Sequence, residues 1–166
     1  MRVFFYTFDS EMEEAINLLD NIAAFLKPDE VWKRVFLDKT LQTTIIVEYI
    51  QGDQLIKGFD GTGERITDTR GNDSYSYLTE LLSNGEKKAG DHYTLFDTGD
   101  FYRSMVFLLG KDFFEIDADS IKDTGTDLFL KYGEDIVGLT EESKNKLQVE
   151  LLERYDKEIR RILSEY

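Results

Sequence analysis

The chain has 166 residues, of which 41% are hydrophobic and 13% aromatic, so one domain can bury a sizeable core. It contains no cysteine, which excludes disulfides, thiolate nucleophiles and thiolate zinc sites. The 34 acidic and 20 basic residues give a formal net charge of -14, so the surface should repel nucleic-acid backbones. The apolar run at the start of the chain is too short for a secretory core or a membrane span, and we expect a soluble, unexported protein.

The first predicted helix begins after Asp9 and Ser10, either of which can accept from its free amides. Its apolar residues recur at spacings of three and four and form one stripe: Met12, Ile16, Leu19, Ala23 and Leu26. Pro28 ends this helix and opens the next one. Proline is tolerated in a first turn, and acids such as Asp29 and Glu30 favour the positive end of the helix dipole.

A long second helix is predicted from Pro28 to Gly52. Residues 40–50, TLQTTIIVEYI, contain threonines and branched apolar residues that favour a strand in a short window. We interpret them as helix because no turn signal interrupts the run. The apolar stripe of this helix consists of Val31, Val35, Leu41, Ile45, Tyr49 and, after a turn, Leu55.

Residues 52–75 hold five glycines and many Asp, Asn, Thr and Ser, which is typical of a loop or an extended arm. Within it, Asp60, Thr62 and Glu64 alternate as oxygen ligands do in a calcium loop. The acidic positions and the terminal glutamate of the calcium motif are out of register, so a plain turn is predicted.

Three further elements are predicted before the last helix. Residues 76–89 indicate a short helix that ends near Gly85. Two apolar runs, residues 105–109 and 113–116, flank Gly110-Lys111-Asp112 and predict a β-hairpin. Residues 120–133 indicate a short helix or turn.

The terminal helix, residues 140–166, has Thr140 as its predicted cap and acids in its first turn. One face of this helix is apolar: Leu147, Leu151, Tyr155, Ile159 and Ile162. A helix of about 26 residues spans roughly 39 Å.

Catalytic chemistry has little support in the sequence. His92 is the only histidine, which excludes a triad or a metal site with several histidines, and we expect a surface or hydrogen-bonded side chain. Gly58, Gly61 and Gly63 are not followed by the lysine and hydroxyl of a phosphate loop. Close carboxylate pairs arise by chance among so many acids. We therefore predict no catalytic residue, no cofactor and no metal.

The stretch TLFDTGDFYRSM, residues 94–105, is interpreted as an architectural corner. Asp97 or Thr98 can cap, and Gly99 can take the dihedral that a tight corner demands. Phe101 can then turn inward as an anchor, and Ser104 starts the following strand.

The pattern of Asp97, Thr98, Gly99, Phe101 and Ser104 resembles the signature of phage virion-morphogenesis and tail-completion proteins, which precedes a β-hairpin. A second match follows the hairpin, first at Tyr132-Gly133 and then where the last helix opens: Gly138, Leu139, Thr140, Glu141 and Glu142. The chain departs from the family at Lys131-Tyr132 and at Glu134-Asp135-Ile136-Val137. The family usually has a histidine at the first place and a proline-alanine-arginine stretch at the second.

The resemblance implies a non-enzymatic structural protein of the neck or tail junction of a tailed phage. Such a protein is assembled into the virion in the host cytoplasm. In the virion it forms a ring beside portal, neck or tail proteins. DNA passes through without specific binding, and no membrane is involved. A heterologous interface that closes by rotation would form the ring, and residues 52–75 would lie over a neighbouring subunit.

We predict one α+β domain, residues 1–166, in which N-terminal helices and a long C-terminal helix pack on a small antiparallel sheet. Its parts are a helical region (1–51), a projecting glycine-rich arm (52–75), a hairpin-containing core (76–139) and the last helix (140–166). The alternative is an acidic intracellular adaptor or inhibitor that binds a basic partner, which would be a stable monomer with salt-sensitive binding.

Overall fold

The computed structural model describes residues 26–165 and, before them, Asn17, Asn21, Ile22 and Ala24. The predicted first helix therefore lies outside the described residues for most of its length, as do its cap and its stripe residues Met12, Ile16, Leu19 and Ala23.

Helix α1, Pro28–Leu37, begins at the predicted proline and carries Asp29 and Glu30 in its first turn. It ends at Asp38, whose backbone is extended. The Asp38 carboxylate accepts from the Thr40 amide at 2.8 Å and so caps the next helix, α2, Lys39–Thr43. The prediction of one unbroken helix is therefore wrong, because a carboxylate that bonds the backbone two residues ahead competes with helix continuation.

Residues Thr44–Gln54 wind as a π-helix, followed by a 3₁₀ turn at Leu55–Lys57. The helical interpretation of residues 40–50 is confirmed. The predicted start of the loop at Gly52 is wrong, since the loop begins at Gly58, where φ is +78°. All six predicted stripe residues are buried: Val31, Val35, Leu41, Ile45, Tyr49 and Leu55.

The pattern of burial in the π-helix differs from that of an α-helix. Ile45, Tyr49, Ile50 and Gln54 are its buried residues, so burial recurs about every four and a half residues, as the wider i→i+5 winding requires. The α-helical period of 3.6 residues predicts the burial of Ile45 and Tyr49 but not that of Ile50 and Gln54.

The predicted hairpin is confirmed. Strand β1, Val106–Leu109, pairs antiparallel with β2, Phe114–Asp117, in the register Leu109 to Phe114. The Gly110 amide donates to the Phe113 carbonyl at 2.8 Å and closes the turn. Short helices lie on either side in the chain: α3 at Tyr77–Leu82, α4 at Asp100–Ser104, α5 at Leu128–Tyr132, and a 3₁₀ turn at Glu134–Val137.

Helix α6, Glu141–Ser164, is the predicted long terminal helix. It packs against α1, where the rings of Trp32 and Tyr155 stack with centroids 4.3 Å apart. Arg154 spans the same interface and pairs with Asp38 and Glu150. Leu147 is buried, whereas the rest of the predicted apolar face is half-buried: Leu151, Tyr155, Ile159 and Ile162.

The fold is α+β, as predicted. Phe36 of α1 lies against Phe107 and Phe114 of the hairpin, with centroid distances of 6.3 and 5.6 Å. One face of the two-stranded sheet therefore packs on the helices. In the described part of the chain no helix has the length and apolarity needed to cross a membrane.

The loop from Gly58 to Tyr75 has an anchored half and an exposed half. Ile66 is 1% exposed, and the Gly61 amide donates to the Asp135 carbonyl at 2.7 Å. The Asp60 carboxylate accepts from the amides of Thr62 and Glu64, which is the predicted plain turn. The prediction of a projecting arm is therefore wrong for residues 58–66, which are anchored to the rest of the chain, while residues 67–73 are largely exposed.

Candidate functional site

The nine predicted motif residues form two turns, here called the first elbow (Asp97–Ser104) and the second elbow (Gly133–Thr140). In the first elbow Gly99 has φ +83°, which confirms the predicted left-handed corner. The Thr98 hydroxyl donates to the Asp100 carboxylate and accepts weakly from the Asp100 amide at 3.4 Å. Helix α4 starts directly after this corner.

Two aromatic side chains fix the first elbow in the core. Phe101 is 6% exposed, as predicted, and meets Phe129 edge to face at 6.3 Å. The buried Tyr102 hydroxyl donates to the Thr94 carbonyl at 2.6 Å. Burial raises the pKa of Tyr102 far above its usual range, because the charged phenolate would lose its hydration there.

Ser104 does not start the strand, and that prediction is wrong. It is the last residue of α4, and β1 begins at Val106. Its hydroxyl donates to the Phe101 carbonyl at 2.8 Å and accepts from the Asp119 amide at 2.9 Å. A serine that bonds back to a carbonyl satisfies the end of the helical turn, and here it also ties α4 to the segment after β2.

Asp97 is an ionic anchor for the first elbow. Lys122 donates to one carboxylate oxygen, and Lys87 lies 3.0 Å from the other. The bonds from Lys122 and then Lys87 hold the pKa of Asp97 below its usual range. Sequence reasoning missed both lysines, since each lies in a loop with no periodic pattern to mark it.

The second elbow turns the chain from α5 into α6. Gly133 ends α5 with φ +90°, and the 3₁₀ turn leads to Gly138. Leu139 is half-buried against the core. Thr140 caps α6, as predicted, by accepting from the Ser143 amide at 3.1 Å.

Gln54 holds the second elbow from the π-helix. Its side chain is 1% exposed, and its amide nitrogen donates to the Gly138 carbonyl at 2.8 Å. Its oxygen accepts from the Thr140 amide at 3.0 Å and from the Ser143 hydroxyl at 3.2 Å. The carboxamide therefore satisfies backbone groups on both sides of Leu139.

Gln51, three residues earlier, bonds the first elbow. Its amide nitrogen donates to the Tyr102 carbonyl at 2.9 Å and lies 3.5 Å from the Met105 sulfur. Two glutamines of the π-helix thus hold the two elbows, and Phe101 of the first elbow also contacts Phe129 of α5. No signal in the sequence separates these glutamines from exposed ones, because glutamine carries no apolar period.

The anchored half of the loop also packs on the second elbow. A Cβ built on Gly61 would lie 2.6 Å from the Cα of Gly138, so only glycine fits there without movement of the backbone.

His92 is hydrogen-bonded, as predicted: its Nε2 lies 3.0 Å from the Ile56 carbonyl oxygen.

The polar groups of the two elbows bond one another and the backbone, which makes them positioning groups for the chain. Among the described residues no cluster of three or more His, Asp or Glu is placed to hold a metal ion. Comparisons with protein-family models, with curated proteins and with solved structures find no match to this chain.

Proposed function

We propose that this chain is a structural protein of the head–tail junction of a tailed phage, where copies form a neck or tail-completion ring around the DNA channel. The observation that carries the proposal is the placement of the two stretches that resemble this family. They form turns on either side of the hairpin, the first built on Gly99 and the second on Gly133 and Gly138. Each turn is held from the π-helix by a glutamine side chain.

The charge distribution supports a surface past which DNA can move. More than half of the lysines and arginines within residues 27–161 pair with acids of the same chain, such as Arg160 with Asp156 and Lys144 with Glu141. Pairing within the chain leaves fewer cations to attract phosphates, and the formal net charge of the chain is -14. A channel wall of this kind repels phosphates rather than binding them.

Exposed apolar side chains support assembly. Several large hydrophobic residues are more than half exposed in the single chain, on α3, on the hairpin turn, on α5 and on α6: Tyr77, Leu78, Leu81, Leu82, Phe113, Leu130, Val149 and Leu152. Large apolar patches on a protein surface mark interaction sites.

The test is the assembly state of the purified protein, measured by mass photometry over a range of concentrations and imaged by electron microscopy. The proposal expects closed rings of uniform copy number with a central channel. A monodisperse monomer that binds a cationic protein, with affinity falling steeply as salt rises, would contradict it and favour the acidic adaptor.

The bore of the ring provides a second test. We expect Asp and Glu to be in excess on the channel-facing surface, and replacing several of them by lysine should slow genome release while assembly continues. A neutral or basic bore, or normal ejection by the charge-reversed particle, would leave solubility as the role of the acidity.

A further inference from the structure

Strand β1 has one edge that pairs with no other strand. The Gly110 amide bonds the Phe113 carbonyl at the turn, and residue pairs of antiparallel strands alternate between bonded and non-bonded pairs. The N–H and C=O groups of Phe107 and Leu109 therefore point away from β2. Among the described residues no hydrogen bond reaches these four groups. Such an edge is a template for a further strand.

The side chains of β1 do not protect this edge. All four residues of Val106–Leu109 are apolar, and Val106 and Leu108 are each 46% exposed. The partner strand β2, in contrast, carries Glu115 and Asp117 on the same exposed face. Natural proteins blunt edge strands with charges or proline, or cover them with another segment. The edge of β1 therefore calls for a cover.

A groove of about 670 Å³ runs along this side of β1, between the strand and the helical run of α2 and the π-helix. Its volume lies in the range of binding clefts. No residue of β2 lines it, so it opens on the free edge. Apolar side chains from both walls line it: Ile46, Val47, Met105, Val106 and Phe107.

The charge of this groove differs from that of the chain as a whole. Lys39 and Arg103 line it, and among the described residues no carboxylate does. Arg103 pairs with Asp100 of its own elbow, whereas the Lys39 ammonium donates to the Gln42 side chain at 3.0 Å and meets no described carboxylate. The groove therefore suits an extended apolar segment with acids at one end.

A segment with these properties lies near the start of the chain, outside the described residues. Residues 3–8, VFFYTF, are all of types that favour strands, without charge, glycine or proline. Alternate side chains of an extended segment point to opposite sides, so Phe4, Tyr6 and Phe8 can enter the groove together. Four acids follow within the next six residues: Asp9, Glu11, Glu13 and Glu14.

We propose that residues 3–8 add to the free edge of β1 of the same chain as a third strand, in the groove beside α2 and the π-helix. The inference concerns a single chain, so it goes beyond the proposed ring and does not depend on it. Main-chain hydrogen bonds to Phe107 and Leu109 hold the added strand, and its alternate side chains give specificity. The acids after Phe8 lie near Lys39, where opposite charges attract.

The chain is long enough to make this contact with itself. Residues 9–25 connect the segment to the described chain, and they span about 26 Å as a helix or at most about 56 Å when extended. Helix α1, Pro28–Leu37, is about 15 Å long and leads from this connection to the Lys39 end of the groove. A short tether gives an effective concentration of about millimolar, so the chain's own segment competes well with that of another copy.

Hydrogen exchange of the full-length chain tests the added strand. The amides of Phe107 and Leu109 should be protected in the parent and exchange roughly ten-fold faster or more in the double variant Phe4→Pro with Tyr6→Pro, because proline cannot donate to a ladder. The matched control, Phe4→Val with Tyr6→Val, keeps strand-forming side chains and should keep the protection. Exchange in the π-helix reports the core separately and should be alike in all three. Unprotected amides in the parent, or equal protection in the proline variant, would overturn the inference.

A peptide of residues 2–14, RVFFYTFDSEMEE, gives a second measurement. Added to the proline variant, it should restore slow exchange at both amides of β1. Lys39→Glu in the same background should weaken its binding roughly ten-fold by repelling the acids of the peptide. Lys33→Glu, exposed on α1 outside the groove lining, is the matched control and should change binding little. Equal effects of the two charge reversals, or equal binding of a scrambled peptide, would contradict the assignment.

The dependence on protein concentration identifies whose segment occupies the edge. Protection of β1 in the parent should be the same from about 1 to 100 µM, because a tethered segment does not dilute. Protection that rises with concentration would overturn the assignment to the same chain. Neither result bears on ring formation, which mass photometry measures separately.

Discussion

Gln54→Met tests whether the buried carboxamide holds the second elbow. Methionine has nearly the length of glutamine but offers no donor and only a weak acceptor. The change leaves the Gly138 carbonyl and the Thr140 amide without their partner. The Ser143 hydroxyl still accepts from the Thr140 hydroxyl at 3.0 Å but loses the acceptor of its own proton. At about 1–3 kcal/mol for each of the two buried backbone groups left unpaired, the free energy of unfolding should fall by roughly 2–6 kcal/mol.

The assay is urea unfolding, followed by hydrogen exchange at the start of α6. Domains of this size are stable by about 5–15 kcal/mol, so the expected loss is a large fraction of the total. Two glutamines serve as controls. Gln148→Met, exposed on α6, should change the unfolding free energy by less than about 0.5 kcal/mol. Gln51→Met, which loses one half-buried bond to a backbone carbonyl, should cost about 1 kcal/mol. A Gln54→Met protein as stable as Gln148→Met, with unchanged exchange at Thr140, would refute the reasoning.

Three further changes test the elbows and the loop. Gly99→Val should destabilise the fold by about 2–3 kcal/mol and impair assembly, since φ is +83° and a Cβ would lie 3.3 Å from the Phe96 ring. Gly71→Val has a similar φ of +80° and open space, so it isolates the cost of the dihedral, and equal unfolding free energies for the two would contradict the steric part. Asp97→Asn tests the ionic anchor: the lowered pKa of Asp97 means that its stabilisation is present above the ordinary aspartate pKa of about 3.9 and is lost as pH falls. Acid unfolding of the variant should therefore depend less on pH below about 4 than that of the parent, and identical acid-unfolding profiles would contradict this. Deleting residues 67–73 should leave a folded protein, because Ile66 and Gly61 anchor the segment before them. Ring formation should fall, because the exposed half of the loop contacts a neighbour in the proposed ring. Normal assembly of the deletion variant would show that this segment takes no part in assembly.

Most elements of the fold could be predicted from local patterns. The proline start of α1, the hairpin around Gly110 and the Thr140 cap of α6 each depend on residues close in the chain. The break at Asp38 could not be read the same way, because an aspartate in the middle of an apolar period is also compatible with a continuous helix. The π winding of residues 44–54 changes the period of burial, so the predicted stripe was correct as a list of buried residues and incomplete at Ile50 and Gln54.

The positions of the two elbows could be predicted from the sequence, but the distant side chains that hold them could not. Gly99 and Thr140 act through their own backbone and nearest neighbours, which a sequence pattern contains. Gln54 acts on groups 84 and 86 residues away, and Gly61 packs on Gly138 from a loop that the sequence marks as free. Contacts between residues so far apart in the chain depend on how the elements pack. The sequence therefore predicts a projecting arm where the structure has a loop that is anchored over half of its length.

Added salt should have opposite effects on association in the two proposed functions, the ring and the acidic adaptor. Copies that each carry a net charge of -14 repel one another, and many of the cations that could offset the repulsion pair with acids of their own chain. The contact between copies must then gain most of its free energy from apolar burial, for which α3 offers exposed leucines, and added salt should screen the repulsion. We expect ring assembly to strengthen as ionic strength rises from about 0.01 to 0.15 M, where the screening length falls from about 30 to 8 Å. Sedimentation velocity at constant protein concentration measures this. An adaptor bound to a basic partner shows the opposite slope, and rings that dissociate as salt rises would mean that charge pairs between copies, rather than apolar contacts, hold the assembly.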